Sequence, residues 1–118
     1  MCTTGLYGRS ILVLEDEPLI ALEICEALAQ AGAKVFVAHS LREALRLADH
    51  PSLSAAIVDV GLTDGEADGV CERLIARAIP FVIYTGHEQV SGTCRQGVQI
   101  AKPARSSDLI ATVVGLLH

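Results

Sequence analysis

Four short apolar runs in this chain each end in residues able to do chemistry. ILVLEDE closes on Glu15, Asp16 and Glu17, IVDVG on Asp59, FVIYTG on Thr85 and Gly86, and the weaker VQIAKP on Lys102. A parallel sheet covered on both faces holds its ligands at the carboxyl ends of its strands, so these groups are expected at one edge. Glu15, Asp16 and Asp59 would then crowd together. Two carboxylates about 5 Å apart repel by roughly 3 kcal/mol at an effective dielectric near 20. A divalent cation removes that repulsion, and an all-oxygen donor set that keeps several waters suits Mg2+. Asp16 and Asp59 are the expected direct ligands, with Glu15 acting through water.

Such a site is equipped for phosphoryl transfer. Asp59 would be the nucleophile and form an acyl phosphate. Mg2+ and Lys102 would stabilise charge on the transferring group's oxygens. Thr85 would donate a hydrogen bond to a phosphoryl oxygen, and Gly86, lacking a side chain, would leave room for it. Taken singly, each residue has a plainer reading. An Asp after a strand caps or turns the chain, Glu15 and Asp16 precede a helix that opens at Pro18, a lone Lys is a solvated charge, and Thr85 can bond its own backbone. Their joint occurrence at four strand ends favours the chemical reading.

The elements that must position these groups are legible as an alternation of strand and helix patterns. Residues 10–15 read as a strand, and Pro18 marks a helix start with Asp16 or Glu17 at the cap. Ile20, Ile24 and Leu28 recur at helical spacing, and Gly32 ends that helix as a left-handed cap. Residues 34–38 are a second strand. Ser40 with Glu43 makes a capping box for a helix over 41–49, which Pro51 and Ser52 break. The Asp59 strand lies in the stretch 54–61, an irregular loop follows, and a helix covers about 67–78. Residues 80–85 form a fourth strand. The polar, glycine-broken stretch 87–97 supports at best one short helical turn. Residues 98–101 are a fifth strand, and Ser106 or Ser107 caps a last helix whose buried face is Leu109, Ile110, Val113, Val114 and Leu117.

The expected fold is therefore α/β: a doubly wound, five-stranded parallel sheet of the (βα)5 flavodoxin-like kind, with strand order 2-1-3-4-5. Right-handed crossovers bring every strand's carboxyl end to one edge. Residues 1–9 lack periodicity and read as a flexible leader, with the domain over 10–118.

Composition narrows the function. The 118 residues are 51% hydrophobic and only 3% aromatic, so the core must be aliphatic. A net charge of -5 and a pI near 5.2 argue against nucleic-acid binding, which needs a basic surface. No apolar run is long enough to span a membrane, and the opening residues lack the plan of a secretory signal. A cytoplasmic location is expected. Cys2, Cys25, Cys71 and Cys94 form no CxxC pair, and reduced structural thiols are the expectation. His39, His50, His87 and His118 do not cluster. His87, just after Thr85 and Gly86, reads as a solvated loop histidine.

Taken in order, ILVLEDEPLI, IVDVGL, YTG and AKPA resemble the acid pocket, phospho-acceptor segment, switch hydroxyl and lysine-proline of response-regulator receiver domains. The resemblance covers about residues 10–117. It implies that Asp59 is the phosphorylated aspartate, that Asp16 binds Mg2+ with Glu15 as acidic neighbour, and that the Gly61 backbone carbonyl is a further ligand. It also implies that Thr85 is the switch hydroxyl, Lys102 the phosphate-binding lysine, and Lys102-Pro103 a cis peptide bond. Two positions depart from the pattern. Gln99 stands where receivers carry an aromatic switch residue, and Thr63 where a proline is usual. The segment from Thr85 to Lys102 is short as well. IPFVIYTGH is similar to an atypical subgroup whose fourth strand reads Phe-Ala-Thr-Gly and whose following helix is reduced.

The implied function is that of a phospho-acceptor signalling domain, not an enzyme beyond its own phosphorylation and slow autodephosphorylation. Its implied partners are a histidine kinase or phosphotransfer protein and a downstream protein, with a homodimer open and neither nucleic acid nor membrane bound. Two alternatives stand beside it. One is a receiver-like binding module that is never phosphorylated. The other is an Mg-dependent aspartyl phosphohydrolase, which would want an Asp where Gly61 stands.

Overall fold

The structure, a computed structural model, describes residues 5–61, 67–86, 90 and 92–117. Thr63, His87 and His118, singled out above, lie outside them. The described chain runs β1 (Ser10–Leu14), α1 (Pro18–Gln30), β2 (Lys34–Ala38), α2 (Leu41–Leu47), β3 (Leu53–Asp59), α3 (Asp68–Ala76), β4 (Phe81–Thr85), a 3-10 segment (Gly92–Gln96), β5 (Val98–Ala101) and α4 (Ser106–Leu117). The five strands are all parallel and lie in the order β2-β1-β3-β4-β5.

The sheet is buried on both faces because its three inner strands are apolar through their middles, with polar residues confined to the ends: Ser10, Ser54, Asp59 and Thr85. On one face Leu12, Leu14, Ala56, Val58 and Ile83 pack against α2, α3 and the 3-10 segment. On the other, Ile11, Val13, Ile57, Val82 and Tyr84 meet α1 and α4. Ile24 and Leu28 of α1 and Leu109 and Val113 of α4 are buried there, as their helical spacing requires. Each fully buried aliphatic side chain contributes about 1.5–3 kcal/mol from lost apolar hydration.

The edge strands differ from the inner three. In β5, Val98 is 43% exposed and Gln99 is exposed, because a five-residue 3-10 turn covers less than a full helix would.

Local devices set the joints. Gly32 takes φ 97° after α1, the left-handed conformation glycine adopts at no steric cost. Ser40 accepts from the Glu43 N–H while Glu43 accepts from the His39 N–H, a shifted form of the expected capping box. Helix α3 stops at Ala76, two residues before the expected end, because Ala78 adopts φ 57°. The Ala78 and Ile79 N–H groups then close on Ile75 and Leu74, a Schellman pattern with alanine where glycine is usual. Helix α4 begins at Ser106, and the Arg105 carbonyl accepts from Asp108 and Leu109. The first carbonyl of that helix therefore lies one residue before the expected serine caps.

Two further findings depart from the pattern in the sequence. Leu6 is fully buried and its N–H donates to the Ala31 carbonyl, so ordered packing starts before Ser10. Cys71 and Cys94 are joined in a disulfide with Cα atoms 5.3 Å apart, which corrects the expectation of reduced thiols for this pair. Their approach is a product of tertiary packing between α3 and the 3-10 segment, so their spacing in the chain carried no sign of it. Cys25 is a free thiol that burial pushes up in pKa.

Candidate functional site

Strand register builds the site. Leu14 of β1 pairs with Val58 of β3, so Glu15 and Asp59 emerge side by side at the carboxyl edge. Asp59 pairs in turn with Tyr84, and Thr85 with Ala101, so Lys102 leaves β5 one residue beyond Thr85. The Lys102 N–H donates to the Thr85 carbonyl at 2.6 Å and ties the two strand ends together. Glu15, Asp59 and Thr85 are buried, Asp16 is half-buried, and Gly86 is half-buried at the rim beside them.

The three carboxylates each offer an oxygen, and these atoms lie within 4.8 Å of one another. The Lys102 ammonium stands between two of them, 3.1 Å from Glu15 Oε1 and 3.3 Å from Asp59 Oδ2. Backbone groups hold the rest of the geometry. Gly61 N–H donates to Asp59 Oδ1 at 2.9 Å, and Glu17 N–H donates to Glu15 Oε2 at 3.2 Å. His39 Nδ1 lies 3.1 Å from the Glu15 carbonyl, which places one of the four histidines against the site's backbone.

The electrostatics follow from burial and crowding. Burial, with the hydrogen bond and charge of Asp59, pushes the Glu15 carboxyl up to about 7, against the opposing pull of Glu17 N–H and Lys102. Burial also tends to lower the Lys102 pKa, but its bonds to Glu15 and the Asp59 charge outweigh that and raise it. When ionised, three carboxylates against one ammonium leave two negative charges in excess. That is the charge of one divalent cation, and the oxygen-only donor set suits Mg2+ over a softer metal.

Tyr84 went unmarked in the sequence, where it reads as a filler of an apolar strand. Its hydroxyl accepts from the Ala104 N–H at 3.0 Å, and the Lys102 ammonium lies 5.2 Å from its ring centroid. A single side chain thus steadies the loop that carries the lysine from below. The Lys102-Pro103 peptide bond in that loop is cis. Gln99 is exposed on β5 opposite Ile83 and lies outside this cluster.

No family model matches the chain. Its sequence is 25% identical over 114 residues to the acid tolerance regulatory protein ActR of Rhizobium meliloti (strain 1021), covering 90% of this chain and 58% of that protein. The chain thus spans little more than half the length of that curated relative. Among solved structures, a CheY-like response regulator receiver domain protein from Methanospirillum hungatei JF-1 superposes with a TM-score of 0.82 at 22% identity, over 92% of this chain and 93% of that one. The receiver domain of a sensor histidine kinase from Pseudomonas aeruginosa PAO1, solved with magnesium in its active-site cleft, gives 0.78 at 22% identity over 92% and 98%. SdrG from Sphingomonas melonis Fr1 is 33% identical over 92% of this chain and 95% of its own, with a TM-score of 0.77. With this identity across nearly the whole of both chains, and the edge of acids and lysine just described, the chain belongs to the response-regulator receiver family.

Proposed function

We propose that Asp59 accepts a phosphoryl group from a phosphohistidine on a histidine kinase or phosphotransfer protein, and that the acyl phosphate switches a protein-binding surface. The observation that carries this reading is the 3.3 Å approach of Lys102 to Asp59 beside Glu15 and Asp16. In the transfer, a bond forms between an Asp59 carboxylate oxygen and phosphorus as the phosphorus–nitrogen bond of the donor breaks. The donor imidazole leaves with the electron pair and takes a proton. Gly61 N–H fixes the plane of the attacking carboxylate, and Lys102 offers its charge to the phosphoryl oxygens.

Asp16, Asp59 and the Gly61 carbonyl would hold Mg2+, with Glu15 through water; bound there, the cation neutralises charge on the phosphoryl oxygens. Once Asp59 carries the group, Thr85 and Lys102 are drawn to its oxygens, and the chain shifts between two existing states. This is a signalling module, not an enzyme with a separate substrate.

With Gln99 exposed and no aromatic at that position, the switch does not run through an inward-turning ring. The strand FVIYTG and the short 3-10 segment, the one helical element described between β4 and β5, support assignment to the atypical subgroup with a Phe-Ala-Thr-Gly strand. The surface of the 3-10 segment and β5 is then the place for a downstream protein or a second copy. No helix among the described residues is long and apolar enough to cross a membrane, and a cytoplasmic location fits the kinase-fed role.

Incubation with Mg2+ and a small acyl-phosphate donor, followed by intact-mass measurement, tests the reading. One phosphoryl group is expected on the parent and none on Asp59→Ala. A parent mass that stays unchanged would leave a binding module that works by contact alone.

A further inference from the structure

The only covalent link between elements among the described residues joins α3 to the short segment that separates the two switch groups. Cys94 lies on the 3-10 turn between Thr85 and Lys102, and Cys71 on the inner face of α3. Both are buried, at 2% and 0% exposure. Their Cα separation of 5.3 Å is within the span a disulfide bridges without backbone movement.

The cysteines do not stand alone on that seam. Thr93 Oγ1 donates to the Asp68 carbonyl at 3.2 Å. A Cβ built on Gly92, which has φ 63°, would sit 2.8 Å from Asp68 Oδ2. One turn of α3 is thus pressed against three consecutive residues of the turn. If the thiols are free, the turn is held by non-covalent contacts alone, and a five-residue 3-10 element has poor hydrogen-bond geometry of its own. A bond between Cys71 and Cys94 removes that freedom.

We propose that Cys71 and Cys94 form a reversible thiol–disulfide site whose oxidation clamps the turn to α3 and so resists the movement that brings Thr85 and Lys102 to the phosphoryl group. The proposed effect on phosphorylation rests on the Asp59 reading above; the clamp itself does not. The co-reactant is a low-molecular-weight disulfide. When the turn opens, the Cys94 thiolate attacks that disulfide and releases one small thiol, leaving a mixed disulfide. The Cys71 thiolate then attacks the Cys94 sulfur, the internal S–S bond forms, and a second small thiol leaves. The two protons given up by the cysteines end on the two released thiols. Two electrons pass from the protein to the small disulfide. Cys94 is the natural first nucleophile because its short turn opens more readily than the middle of α3.

The experiment equilibrates the full chain across a series of reduced-to-oxidised glutathione ratios, then alkylates it under denaturing conditions and weighs it. Four alkyl groups are expected at the reduced end, one for each cysteine, and two fewer at the oxidised end; Cys94→Ala and, separately, Cys71→Ala should lose none. Amide exchange over residues 92–101 should be slower in the oxidised form. Phosphorylation from a small acyl phosphate should be slower by about five-fold or more, the lower range of measured couplings between sites, and either alanine variant should abolish this redox dependence. A parent that keeps four alkylation sites at every ratio overturns the site. Equal amide exchange in the two forms overturns the clamp. Slowed exchange with equal phosphorylation rates overturns the effect on signalling. If neither redox form takes a phosphoryl group, the Asp59 reading fails, while alkylation and exchange still decide the clamp.

Discussion

The Lys102 ammonium stands 3.3 Å from the Asp59 carboxylate, although it is delivered by the most exposed strand of the sheet. The ammonium lies 5.2 Å from the Tyr84 ring centroid, and its charge also serves Glu15 at 3.1 Å. Before any phosphoryl group arrives, this cation compensates two buried acids. After transfer it has a third claimant. Lys102→Ala should therefore keep Mg2+ binding while losing the phosphorylation-dependent change, read as amide exchange or partner binding with and without the acyl-phosphate donor. A variant that responds like the parent would remove the lysine from the switch.

Acidity gives a second prediction, for the metal-free protein. The Glu15 carboxyl rises from 4.5 to about 7 on folding, so between those values the native state holds a proton that the unfolded chain has released. Stability then falls as pH rises through that window, by on the order of 3 kcal/mol at most, since each tenfold change in proton affinity corresponds to about 1.4 kcal/mol. Urea unfolding in a chelator at pH 4.5 and pH 8 should reveal the loss, and Glu15→Gln should flatten it. A parent more stable at pH 8 than at pH 4.5 would contradict the sign.

Magnesium should reverse that loss. At a concentration about a hundred-fold above its dissociation constant, a ligand of the folded state alone adds about 2.7 kcal/mol. Melting followed at pH 8 with and without Mg2+ should rise in the parent and stay flat in Asp16→Ala. A rise of equal size in that variant would move the metal elsewhere.

Tyr84→Phe removes the acceptor of the Ala104 N–H but keeps the ring. The expected cost in stability is about 1 kcal/mol, the net worth of one hydrogen bond. A positioning role for the hydroxyl predicts more than this: the maximal rate of phosphorylation should fall while the donor concentration for half-maximal rate stays near the parent's. If melting moves and the rate does not, the hydroxyl is structural only.

Ala78→Gly probes the fold away from the site. Alanine at φ 57° costs about 1 kcal/mol relative to glycine, so the variant should unfold at higher denaturant with unchanged phosphorylation. A destabilised variant would mean that the methyl group packs better than the backbone strain suggests.

Much of this was legible because strands and acids follow simple rules. A buried parallel strand must be apolar until its end, so Leu14 and Val58 announce where Glu15 and Asp59 begin. Asp59, Glu15, Asp16, Thr85 and Lys102 could be nominated on that ground alone, and the structure gathers all five at one edge. What escaped notice depends on partners distant in the chain. Tyr84 looks like any strand aromatic until Ala104 is folded back on it. Cys71 and Cys94 acquire meaning only when a turn settles on a helix, and Leu6 only when the end of α1 offers it a carbonyl. Helix ends were missed by a residue or two where a non-glycine, Ala78, took the left-handed position.

The thin cover over β5 has a mechanical consequence. A full helix would have to be unseated before anything beneath it could shift, whereas a single turn leaves little packing to undo. With Cys71 and Cys94 reduced, that corner is held by less packing than a full helix would give it, so a modest electrostatic event at the neighbouring acid pocket can be felt at the outer surface without disturbing the sheet's interior.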